Sequence, residues 1–170
     1  MEHSDVVMAQ GTAIFMSMSL LDALTKYYDL VEMATTNPAI VAPSGLDFVP
    51  GPGEDLESMI WVLIYAIMLH HHGTLRGSDK ARYQRDVVDK FYGSLSYSGL
   101  ADKRDILIRR GTNLRAYGPE VWIPDQTQCK WFRLAMTLVD DSTKLTLRGS
   151  TKPITFDAFD ALCDEFITDE

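Results

Sequence analysis

Apolar positions recur at helical spacing along most of this chain. Over residues 17–32, Leu20, Leu21, Leu24, Tyr27, Tyr28 and Val31 fall at i, i+1, i+4, i+7, i+8 and i+11 on one stripe. The opposite face is polar, so the pattern predicts an amphipathic helix. Residues 33–53 break the period: they hold Pro38, Pro43, Pro50 and Pro52 with Gly45, Gly51 and Gly53, residues that block helix propagation and ladder pairing alike. A loop of that length inside a compact domain is usually functional or mobile. Residues 54–72 then carry the run Met59 to Leu69, 11 residues apolar on every side. A water-exposed protein keeps such a helix by surrounding it, which predicts a central, enclosed helix. At about 17 Å the run reaches roughly half of a bilayer core.

Downstream of Gly73 the pattern is amphipathic again. Ser78 suits an N-cap, Val87, Val88, Phe91 and Tyr92 mark the buried side, and Gly93 ends the element. Residues 100–110 predict a shorter helix, with Gly111 as its C-terminal stop. Residues 126–140 place Trp131, Leu134, Ala135 and Leu138 on one face, and residues 155–167 do the same with Phe156, Phe159, Leu162, Cys163 and Phe166. Residues 120–123 and 145–147 tend towards strand but are too short to form a sheet alone. The expected class is mainly α, one domain of about six helices around a buried central helix.

Composition narrows the function. With 170 residues, 46% apolar and 24% charged, the chain has the make-up of one globular domain. The charge balance of 16 basic against 24 acidic residues, net −8, is the wrong sign for phosphate-driven binding, so nucleic acid is not an expected partner. The charge is uneven: residues 1–53 hold only Lys26 against six acidic residues, whereas residues 54–115 hold ten basic against eight acidic. Cys129 and Cys163 are too few for a disulfide framework and lack zinc-site spacing. A reducing, cytoplasmic setting is expected, and the first ten residues carry no secretory or organelle signal. His70, His71 and His72 occupy consecutive helical positions about 100° apart and cannot converge on one ion, so they read as a solvated helix end facing the C-terminal dipole. No phosphate-binding loop, nucleophile elbow or dinucleotide fingerprint occurs, and neither cofactor nor metal is expected.

Two motifs nevertheless stand in a suggestive order. Gly11-Thr12-Ala13-Ile14-Phe15-Met16-Ser17 resembles the end of a protein-kinase activation segment, and Asp55-Leu56-Glu57-Ser58 resembles the opening of the buried central helix of a kinase C-lobe. With the proline-rich stretch between them and the apolar helix after, they are similar to the fungal-type protein kinase family. The resemblance implies a single partial kinase-like domain over residues 1–170: an activation-segment remnant (1–16), a helix (17–32), a variable insert (33–53), the central helix (54–72) and a C-terminal helical part (73–170). It makes Gly11, Thr12, Phe15 and Met16 the remnant of a substrate-docking loop, and Asp55, Glu57 and Ser58 the anchor of the central helix.

Two departures shape the expected activity. The Gly-rich loop, strand lysine, catalytic aspartate and magnesium-binding aspartate of kinases all belong upstream of the G-T motif, where only ten residues stand. Ser19 also replaces the glutamate that, in other kinases, pairs with a C-lobe arginine. The expectation is therefore a non-catalytic C-lobe module that binds a protein or itself, through a surface near Asp55, Met59 and Trp61 left uncovered by the catalytic loop. The alternatives are part of an active Ser/Thr kinase requiring a separate N-terminal half, and an unrelated helical binding protein.

Overall fold

The structure, a computed structural model, describes residues 15–93, 96–112, 123, 125–144 and 152–167. Among these residues it is helical, with no strand. Helix α1 (Met18–Thr36) starts at Ser17, whose hydroxyl accepts the Leu20 N–H at 3.3 Å. It runs four residues past the expected end at 32 and stops at Asn37, where the following Pro38 disfavours helical backbone. Helix α2 (Pro52–Thr74) begins on a proline, whose missing N–H is no loss in the first turn. The Glu54 carboxylate accepts the Gly51 N–H at 2.9 Å, and the Glu54 N–H is bonded to the Gly51 carbonyl.

Helix α3 (Gly77–Tyr83) passes through a π-helical turn (Gln84–Val88) into α4 (Asp89–Tyr92). The sequence predicts one regular helix here; the wider turn instead lets neighbouring Val87 and Val88 both bury, together with Phe91. Its start also differs, because Arg76 rather than Ser78 is the N-cap and Gly77 takes φ +54°, a left-handed conformation suited to glycine. Helix α5 (Tyr97–Thr112), α6 (Gln126–Thr143) and α7 (Phe156–Ile167) complete the described elements. Asp125 caps α6 by accepting the Gln128 N–H at 2.8 Å, and the Thr155 hydroxyl accepts the Ala158 N–H at the start of α7.

One core joins most of these helices. Ile60, Trp61, Ile64 and Met68 of α2 are fully buried with Phe132, Ala135, Met136 and Val139 of α6, and α5 adds Leu107 and Ile108. Helices α5 and α6 pack closely along each other. Gly111 explains how: it lies inside α5 rather than ending it, and a Cβ there would collide with the Met136 side chain and stand 3.2 Å from Phe132. Its small size serves helix contact, one residue before the described end of α5. Helix α1 contributes little to the core, burying only Leu21, which packs with Leu100 in a separate small cluster.

The apolar run alone predicts a central helix enclosed on all sides, whereas the kinase resemblance implies an uncovered surface near Asp55, Met59 and Trp61; the structure has an open face. Seven positions of α2 spanning Asp55 to His70 are exposed, most of them apolar. Of the strand-like segments, residues 145–147 and 120–122 lie outside the described residues, and Ile123 is buried without strand geometry. No described helix is long and apolar enough to cross a membrane.

Candidate functional site

At 100° per residue, the exposed positions of α2 form one arc. Asp55, Met59, Val62, Leu63, Ala66, Leu69 and His70 cover about 120° of the helix circumference, and the buried residues occupy the remainder. Met59 is 51% exposed, Val62 42%, Leu63 37% and Leu69 40%. Single exposed apolar residues are ordinary, but a continuous stripe along one helix marks a surface made to be covered. Beside it, α6 and α7 leave a groove of about 440 Å³ lined by Leu63, Ala66, Ile67, His70, Trp131 and Cys163. The face therefore offers apolar contact with little polar chemistry.

Behind the arc lies a buried charged cluster. Glu57 is 4% exposed, and its Oε1 accepts the Met18 N–H at 2.7 Å and the Trp61 Nε1–H at 2.9 Å. Arg104, 3% exposed, reaches in from α5 with its guanidinium carbon 4.6 Å from the Trp61 ring centre. Burial raises the Glu57 carboxyl above its ordinary range despite the opposing effects of Trp61, Met18 and the Arg104 charge. Burial also pushes the Arg104 guanidinium down to about 10, while the Glu57 charge works against that shift. One carboxylate thus ties together the start of α1, the indole of α2 and the cation of α5. A cavity of about 500 Å³ opens beside it, walled by Met18, Ser19, Glu54, Glu57, Pro153 and Ile154.

An aromatic run extends the cluster. Phe15 meets Tyr65 edge-on at 5.9 Å between ring centres, and Tyr65 meets Tyr92 edge-on at 4.6 Å. The Tyr92 hydroxyl is buried with no hydrogen-bond partner among the described residues, and burial raises its pKa.

The residues singled out from the sequence divide accordingly. Gly11 and Thr12 lie outside the described residues. Phe15 packs on Tyr65, and Met16 on the Leu21 and Leu100 cluster. Glu57 is the buried anchor, and the Ser58 hydroxyl donates to the Glu54 carbonyl at 2.8 Å. Asp55 is exposed and its carboxylate makes no hydrogen bond among the described residues, so it is not the side-chain anchor of α2 that the resemblance implies; its backbone N–H is engaged by the Gly51 carbonyl. Glu54 takes the capping role. Met59 lies on the open arc, but Trp61 does not: it is fully buried, because its indole N–H is held by Glu57 and its ring is covered by Arg104. Trp61 is thereby removed from the expected interaction surface.

The histidines are also not a uniformly solvated end. His70 is exposed, whereas His71 and His72 are half-buried against the Tyr83 ring, at 4.9 Å and 6.4 Å between ring centres. Burial, and then the neighbouring His70, lower the His71 pKa, which disfavours the charged form that the dipole argument assumed. Among the described residues no three His, Cys, Asp or Glu side chains gather as a metal site.

Sequence reasoning missed Arg104 and read Tyr65 and Tyr92 only as apolar helix positions, not as an aromatic run. For Arg104 a signal exists: it shares a stripe with Leu100, Leu107, Ile108 and Gly111, and a cation on an otherwise apolar stripe calls for a buried acid. No protein-family model, curated protein or solved structure matches this chain.

Proposed function

We propose that this chain is a non-catalytic, protein-kinase-like C-lobe module that acts by docking a protein on the open face of α2. The exposed apolar arc from Met59 to Leu69 carries this reading, since a helix of that composition is stable in water when its free side is covered at least part of the time. The kinase-like assignment rests on the order of the G-T-x-x-F-M-S and D-L-E-S motifs. It gains support from the bond between Glu57 and the Met18 N–H, which links the residue just after the first motif to the second. The same bond favours a second reading, a C-lobe portion that completes an active Ser/Thr kinase with a separate half. Cys129 and Cys163, which form no disulfide with each other, suit a reducing, cytoplasmic setting, and the net charge of −8 argues against nucleic acid.

Two measurements test the proposal. An anilinonaphthalene sulfonate dye, added at about micromolar protein where weak association is absent, should fluoresce with the wild-type chain and lose most of that signal with Leu63→Glu, while far-UV circular dichroism stays unchanged. A dark wild type, or a Leu63→Glu chain that fails to fold, would mean the face is enclosed and would overturn the docking reading. Magnesium-ATP titrated by calorimetry should give no saturable heat, because these residues hold neither a phosphate-cradling loop nor magnesium carboxylates. A micromolar dissociation constant would overturn the non-catalytic reading.

A further inference from the structure

The open arc of α2 has a symmetry in its own sequence. When α2 is laid antiparallel on a second α2, with a two-fold axis between Val62 and Leu63, Val62 of one copy faces Leu63 of the other. In the same register Met59 faces Ala66, and Asp55 faces His70. All six of these residues are exposed. The large Met59 side chain then meets the smallest side chain on the face, the complementarity that lets helices approach closely. The acidic first turn with Glu54 and Asp55 meets the partner's carbonyl-rich C-terminal turn at His70, and the two helix dipoles run in opposition. A parallel pairing would set Asp55 against Asp55, which like charges disfavour, and would align the two helix dipoles.

We propose that the occupant of the open α2 face is a second copy of this chain, bound as an isologous antiparallel helix pair in that register. The proposal rests on the docking reading above and names its partner. A closed two-fold contact uses the same patch on both copies and leaves none of it to recruit a third. The stripe from Asp55 to His70 is about 22 Å long at 1.5 Å per residue, so the contact is small and belongs with weak, reversible associations.

Sedimentation velocity of the full chain from about 1 to 500 µM should show a monomer–dimer equilibrium in the range of weak complexes. Val62→Glu, which sets two carboxylates near the axis, should raise the dissociation constant about tenfold or more. Asp55→Lys should weaken the dimer, and Asp55→Lys with His70→Glu should restore it. Should a Val62→Glu chain lose its circular dichroism, oxidised mixtures decide instead: Met59→Cys chains mixed with Ala66→Cys chains, both carrying Cys163→Ser, should form the mixed disulfide in preference to either like pair. A monomer at every concentration, a dimer indifferent to Val62→Glu, an unrestored double variant or random disulfide pairing would overturn the proposal. A monomer that still binds dye would leave the docking reading standing with a different protein as occupant, whereas loss of dye binding at dilution would remove both.

Discussion

Replacing Glu57 by alanine should cost this fold about 3–5 kcal/mol. The substitution removes the Oε1 that accepts two hydrogen bonds, from Met18 N at 2.7 Å and from Trp61 Nε1 at 2.9 Å. Bonds to a charged acceptor contribute about 1.5–3 kcal/mol each. It also strips the buried Arg104 of a carboxylate whose charge acts on it, and removing one of two interacting buried charges costs up to about 3–5 kcal/mol. These terms overlap and do not add, so the larger one sets the scale. Against a total stability of about 5–15 kcal/mol, that loss removes roughly a fifth or more of what holds a typical domain together. Urea unfolding followed by tryptophan fluorescence and by circular dichroism would measure it. Glu57→Ala and Arg104→Met together should cost clearly less than the sum of the two single changes, because the charge interaction between the two residues is then lost once rather than twice. A Glu57→Ala loss below about 1 kcal/mol, or a strictly additive cycle, would refute the coupling of α1, α2 and α5 through this carboxylate.

The same group predicts a pH dependence: its folded pKa lies above 4.5, so the folded chain holds a proton that the unfolded chain has released, and stability should fall as pH rises from 4.5 through the raised value. Glu57→Gln should abolish that slope in a urea series across pH, and an unchanged slope would assign it elsewhere. Gly111→Ala should lower stability by about 1–3 kcal/mol through overpacking against Met136 and Phe132, seen as a lower Tm; an unchanged or higher Tm would mean that α5 and α6 are not in close approach there. Trp61→Glu should unfold the chain whereas Met59→Glu should keep native circular dichroism, since the first is fully buried and the second 51% exposed. Equal tolerance of both would contradict the orientation of α2.

The helical class was legible in the sequence because it follows from short-range periodicity. The stripe from Leu20 to Val31, the run from Met59 to Leu69 and the stripe through Trp131 and Ala135 each require a helix whatever surrounds them. Glycine and proline set most of the breaks by local sterics, as at Gly93, which follows α4, and Pro52, which opens α2. Gly111 shows the limit, since its reason is the approach of Met136 from 25 residues away, and no local rule separates a packing glycine from a stop.

What only the tertiary structure decided is which way α2 faces. An all-round apolar helix has no amphipathic signal to orient it, so Met59 and Trp61 were indistinguishable as surface residues. Their separation comes from Glu57 and Arg104, 47 positions apart in sequence, which each hold the Trp61 indole, one at its N–H and the other over its ring, and fix the buried side. Burying an acid and a base within reach of each other's charge is a long-range electrostatic choice. It becomes visible once the two helices that carry the charges are folded against each other, and the open arc of α2 is its complement.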